Sequence, residues 1–104
     1  MKFDMQSMME QVQKMQEEMD KMKTELAQKT VTAESGGGLV KVTMNGANNV
    51  TEISINKDII DPNDPEMLED LIVAAVNNAS RNVNEMTQSE MSKFGGMLPN
   101  NPGL

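Results

Sequence analysis

Apolar residues at Met5, Met8, Val12, Met15, Met19, Met22 and Leu26 fall on alternating steps of three and four, with no Gly or Pro to interrupt them. This is an a/d heptad sustained for about three repeats, and it predicts one long amphipathic helix. Such a helix, from near Phe3 to about Gln28, is roughly 39 Å long at the helical rise. A strict a/d seam is narrower than the stripe of a core-facing helix, so it points to a partner helix as well as to the protein's own sheet. Around the seam, Glu17 with Lys21 and Glu25 with Lys29 have the i, i+4 spacing of weak ion pairs.

The period then changes to two. Thr30 to Glu34 (TVTAE) is alternating and β-branched, and Ser35-Gly36-Gly37-Gly38 follows as a turn whose residues tolerate positive φ. Leu39 to Met44 sets Val40, Val42 and Met44 on one face against Leu39, Lys41 and Thr43. Asn45-Gly46 is a strong hairpin signal. The chain returns through Val50 to Asn56, with Ile53 and Ile55 on one face and Glu52 and Ser54 on the other. The expectation is a three-stranded antiparallel meander with one apolar and one mixed face. Its edges and half-wet face call for a cover.

A second helix starts at Asp61-Pro62-Asn63-Asp64-Pro65-Glu66, where either Asp61 or Asp64 is a suitable cap and Pro65 suits the first turn. From Glu66 to about Lys93, residues Leu68, Leu71, Ile72, Ala75, Val76, Ala79, Val83 and Met86 recur at i, i+3, i+4. Such a helix is about 42 Å long, whereas strands of six or seven residues span about 20 to 24 Å. Both long helices should therefore overhang the sheet. Phe94-Gly95-Gly96 ends the pattern, and a Gly/Pro/Asn tail follows. The expected architecture is α+β, an α-β-β-β-α chain with the meander between two long helices. Residues 1–94 are expected to form a single dimerising domain and 95–104 a flexible tail.

Composition narrows the chemistry. With 12 Met, 2 Phe and no Trp or Tyr in 104 residues, the contact surface is built from flexible thioethers. A domain this small gains from burying more surface against a copy of itself. The chain has no Cys, which leans toward a reducing cytoplasm. No apolar run approaches the roughly 18 residues of a spanning helix, so a soluble, unexported protein without a membrane partner is expected. With no His, Cys, Tyr or Trp, the usual general base, the usual nucleophile partners and the aromatic stacking platforms are all missing. No enzyme activity, small-molecule substrate, cofactor or metal is expected. The Gly triplet leads into a strand and lacks the Gly-Lys-Ser/Thr of a phosphate loop. The acids of 61–66 lack the spacing and Gly of a calcium loop, and they suit a helix start.

Assembled in order, the chain resembles the YbaB/EbfC family of small bacterial nucleoid-associated proteins. The likeness covers nearly the whole length and rests on MMEQVQKMQEEM, SGGGLVKVTMNG, TEISINKDIIDPNDPEMLEDLIVAAVNNA and the terminal SKFGGMLP. It implies an intertwined homodimer whose sheets and helices pack together and whose helices protrude as paired arms that grip duplex DNA. It also implies a non-catalytic role in the cytoplasmic nucleoid, organising the chromosome and influencing gene expression.

A net charge of -7 has to be reconciled with that partner. Residues 1–29 hold five basic and six acidic side chains, 30–57 two of each, and 58–104 two basic and eight acidic. The acid is thus concentrated at the start of the second helix. If that start lies away from the arms, the arms hold Lys14, Lys21, Lys23, Arg81 and Lys93 in near balance with their acids. These five are the candidate DNA contacts, giving weak, salt-sensitive binding, with Asn77, Asn78, Asn82 and Asn84 as auxiliary donors. Candidate dimerisation residues are Met8, Val12, Met15 and Met19 on the seam, together with Val40, Val42 and Leu71. The competing expectation is an assembly module whose Met-rich seam takes a protein partner and which does not bind DNA directly.

Overall fold

A computed structural model describes residues 4–95. They form α1 (Met5–Gln28), β1 (Thr30–Ser35), β2 (Val40–Asn45), β3 (Val50–Ile55), a short 3-10 turn at Lys57–Ile59 and α2 (Pro65–Gly95). The α-β-β-β-α order is the expected one. Phe3 lies outside the described residues. So does the expected tail, except Gly95, which closes α2.

α1 starts where Asp4 stops being helical: at φ -109° and ψ 106° its carboxylate accepts the Gln6 N–H and caps the first turn. α2 starts behind Asp64, whose carboxylate accepts the Met67 N–H at 3.4 Å, with Pro65 as first helical residue. Asp61 instead holds the preceding turn, accepting the Asn63 N–H at 2.9 Å.

The strands run antiparallel in the order β1-β2-β3. The inward face carries Ala33, Val40, Val42 and Met44, and α2 lays Ala75, Ala79 and Val83 onto it. Two alanines at consecutive contact positions let the helix backbone approach the sheet closely, and both are fully buried. Two polar ties fix the helix along β1: Ser35 Oγ donates to the Leu71 carbonyl at 2.6 Å, and Asn78 Nδ2 donates to the Glu34 carbonyl at 3.1 Å. α2 lies over β1 and β2. Val50 and Ile53 of β3, on the same side of the sheet, stay 43% and 44% exposed.

Val40 and Val42 have no exposed surface. The alternation that suggested them for dimerisation is real, but the protomer's own α2 covers it, which moves both from a contact surface to the core. Leu71 is half-buried against that core.

The Asn45-Gly46 connection also differs from a two-residue hairpin. Four residues, 46–49, separate β2 from β3, and the positive φ of 65° belongs to Asn48. The Asn45 side chain holds this loop by accepting the N–H groups of Ala47 and Asn49. Gly46 has a different task. Its N–H donates to the Lys29 carbonyl at 3.0 Å, and a Cβ there would overlap the Leu26 carbonyl. Glycine is required because the end of α1 crosses the turn at backbone contact. The Gly36-Gly37-Gly38 turn does use positive φ, at 62°, 69° and 97°.

Candidate nucleic-acid interface

α1 meets the rest of the protein only near its end. Leu26 is buried, Met19, Met22 and Ala27 are half-buried, and every residue from Asp4 to Glu18 is exposed. The last turns of α1 and the far end of α2 enclose an apolar cleft of about 400 Å³, lined by Met22, Leu26, Gly46, Thr87 and Met91 among others. The molecule is accordingly drawn out to 76 × 25 × 16 Å. The expected overhang holds for α1, which projects as an arm. α2 also outruns the strands, but its overhang turns inward on the arm's root through half-buried Met86 and Thr87.

An ion cluster locks this root. Lys29 Nζ donates to Glu90 Oε1 at 3.0 Å, and Lys93 Nζ lies 3.6 Å from the same oxygen. The Lys29 hydrogen bond, then the charges of Lys29 and Lys93, hold the Glu90 carboxyl below its ordinary value of 4.5. Lys29 was spaced to pair with Glu25, and Lys21 with Glu17. Among the described residues neither helical pair forms, and Lys29 reaches across to α2 instead.

The five candidate cations are all exposed, and the fold separates them. Lys21 and Lys23 belong to the root, with Lys23 on the rim of the cleft near Met91. Lys93 joins them through the Glu90 cluster. Lys14 is alone on the projecting arm. Arg81 lies about 18 Å along α2 from Lys93 at the helical rise, with its guanidinium donating to Asn78 Oδ1 at 3.2 Å. Asn78 is thereby a structural bridge between Arg81 and β1, while Asn77, Asn82 and Asn84 stay exposed. Lys29 was overlooked as a root cation, although its place just past the heptad marked it as the end of the arm.

The charge balance of the arm differs from expectation. The segment Asp4 to Asp20 carries Lys14 against Asp4, Glu10, Glu17, Glu18 and Asp20, whereas Lys21 to Lys29 carries three lysines against Glu25. Neutrality over residues 1–29 hid two opposite halves: an acidic arm and a basic root.

The sequence matches the YbaB/EbfC DNA-binding family over residues 1–98. The chain belongs to that family. It is 53% identical over 102 residues to a nucleoid-associated protein of Thermoanaerobacter pseudethanolicus, covering 98% of this chain and 91% of that one. A nucleoid-associated protein of Acetivibrio thermocellus is 46% identical, over 97% of this chain and 89% of its own. The YbaB/EbfC fold is also similar to a crystal structure of an uncharacterized protein from Helicobacter pylori. That match has a TM-score of 0.76 at 20% identity and covers 89% of this chain and 98% of the other. Among the described residues, no helix is long and apolar enough to cross a membrane.

Proposed function

We infer that this member of the family is a non-catalytic nucleoid protein of the cytoplasm that holds duplex DNA as a homodimer, with consequences for chromosome organisation and gene expression. The observation that carries this reading is the family match over residues 1–98. The basic root gives it a physical basis. Lys21, Lys23, Lys29 and Lys93 gather where α1 leaves the body, and all are exposed side chains suited to phosphate oxygens. Lys14 and Arg81 are secondary contacts on either side. The dimer is supported by the apolar surface that one protomer leaves bare: Met5, Met8, Val12 and Met15 on the arm, and Val50 and Ile53 on β3.

Two roots supply up to about eight phosphate contacts, so affinity should fall by up to roughly 10⁴-fold between about 50 and 200 mM salt. Titrating labelled duplexes of unrelated sequence across that range tests the reading. No binding at low salt, or binding indifferent to salt, would sink it. The acidic arm favours a second reading, a module that takes a protein partner along the Met seam and leaves DNA alone. That reading gains if a stoichiometric partner is recovered while DNA retention stays at background.

A further inference from the structure

We propose that Asn45-Gly46 is a latent site of spontaneous deamidation that the docked end of α1 holds shut, so that Asn45 keeps its amide only while the root stays closed. The inference stands apart from nucleic acid and from the number of copies in the assembly.

Two structural demands place this dipeptide at the turn. The residue before the loop must offer an acceptor, and Asn45 Oδ1 takes the N–H groups of Ala47 at 2.9 Å and Asn49 at 3.1 Å. The residue after it must lack a Cβ, because the Leu26 carbonyl fills that space. Met together, the two demands spell a chemically labile pair, and this is the one Asn-Gly step in the chain. The main-chain nitrogen of the following residue is the nucleophile that attacks an Asn side chain at Cγ, and a glycine nitrogen is the least hindered. The new N–Cγ bond closes a cyclic imide, the nitrogen gives up its proton, and the side-chain nitrogen leaves as ammonia. Water then opens the imide at either carbonyl. The product is aspartate or, with the main chain rerouted through Cβ, isoaspartate; one water is consumed for each ammonia released.

The fold withholds geometry, not water. Residues 47–49 are exposed and Asn45 is only half-buried, so water is at hand. The two N–H groups on Oδ1 would even steady the oxyanion of the addition. The nucleophile, however, is held out of reach. Asn45 closes β2 opposite Thr30, and its own N–H donates to the Asn49 carbonyl at 2.9 Å, which keeps its backbone extended. In an extended residue the next nitrogen does not lie over Cβ, so the ring cannot close until the Asn45-Gly46 peptide rotates. That rotation must break the bond from the Gly46 N–H to the Lys29 carbonyl at 3.0 Å, and it must move a Cα that lies against the Leu26 backbone. Leu26 is itself buried. The lock is therefore as strong as the seating of the last turn of α1.

Opening has a one-way consequence. Isoaspartate adds a carbon to the main chain between β2 and Gly46 and draws the Oδ1 acceptor into that chain. Gly46 then cannot keep its register with Lys29, so a root that stays open long enough to react does not close again as before.

The test follows Asn45 by peptide mapping with isoaspartate detection, in unmodified protein held at mildly alkaline pH, folded or in guanidinium chloride. The folded rate should be at least about tenfold below the denatured one, because the open root is a minor population. Leu26→Ala should raise the folded rate at least about threefold. Hydrogen exchange at the Gly46 amide should quicken with it, while exchange at Val42 in the central strand stays slow. Where Val42 quickens too, Met22→Ala, a milder truncation at a half-buried residue of the same contact, carries the same expectation. Asn45→Asp keeps the acceptor oxygen and has no amide to lose, so its ammonia release sets the background. Equal rates in the folded and denatured protein overturn the proposal. So does a variant whose Gly46 amide exchanges faster while Asn45 reacts no faster. Unchanged Gly46 exchange in both variants overturns it as well, since α1 would then not be the lock.

Discussion

Gly46 fixes where the arm leaves the body. The Leu26 carbonyl occupies the space a Cβ would need, and this is backbone rather than the yielding end of a side chain. Gly46→Ala must therefore displace either the turn or the last helical turn of α1. The expected loss is about 1–3 kcal/mol, as for other overpacking changes, measured by urea unfolding. Gly37→Ala makes a useful contrast: its added methyl meets nothing within 4 Å, so its cost comes from its φ of 69° alone. Glu90 is the second decisive residue. Its carboxyl is held below 4.5 by Lys29 and Lys93, so the folded state binds this proton less readily than the unfolded chain. The resulting stability is present above pH 4.5 and is lost as pH falls through the depressed folded value. Stability followed from pH 7 to pH 3 should therefore decline more gently below 4.5 in Glu90→Gln than in the unmodified protein. Equal slopes would show that the cluster adds nothing to folding.

At the scale of elements, α2 and β1 form the rigid unit, because Ala75 and Ala79 allow close approach and Ser35 and Asn78 fix the helix along the strand. Ala79→Leu pushes a side chain into a site with no free surface and should cost about 1–3 kcal/mol. Val73→Ala, on a residue 58% exposed, should stay within about 0.5 kcal/mol, and a comparable loss there would place the core elsewhere on α2. The helices and strands were readable in the sequence because each has a periodic apolar face, and a face period is a local property. What covers a face is not local. Val40 and Val42 alternate as an interface strand would, and only the docking of α2 shows that the protomer covers them itself. Asn45-Gly46 misled for a related reason: a glycine needed for contact with α1 is spelled like one needed for a tight turn. The root was unreadable because Lys29 and Glu90 lie 61 residues apart. The individual lysines could be named from the sequence, but their separation into arm and root could not.

Over the whole molecule the net -7 conceals an uneven distribution: the projecting half of α1 and the start of α2 are acidic, and the root between them is basic. Carboxylates crowd the projecting half of α1, and lysines crowd the place where it joins the body. A duplex approaching this surface is repelled by the arm and attracted at the root, so the lysines should not contribute alike. If the protein holds DNA as the proposed dimer, replacing Lys21, Lys23 and Lys93 together by Gln removes up to six phosphate contacts, and the slope of log affinity against log salt should flatten by as much as about five. Replacing Lys14 alone removes at most two contacts and should flatten it by at most about two. The opposite change separates position from charge: Glu10→Gln makes the arm less acidic and lies roughly 16 Å along α1 from Lys21 at the helical rise, so it leaves the root untouched. If DNA lies at the root alone, this variant should bind little better than the unmodified protein, because at about 0.15 M salt exposed charges more than roughly 8 Å away are largely screened. If DNA lies along the arms, it should bind distinctly tighter, and the loss from Lys14→Gln should rival that of the root variant. Fluorescence anisotropy of the four proteins on one duplex, each at four salt concentrations, decides between the two arrangements.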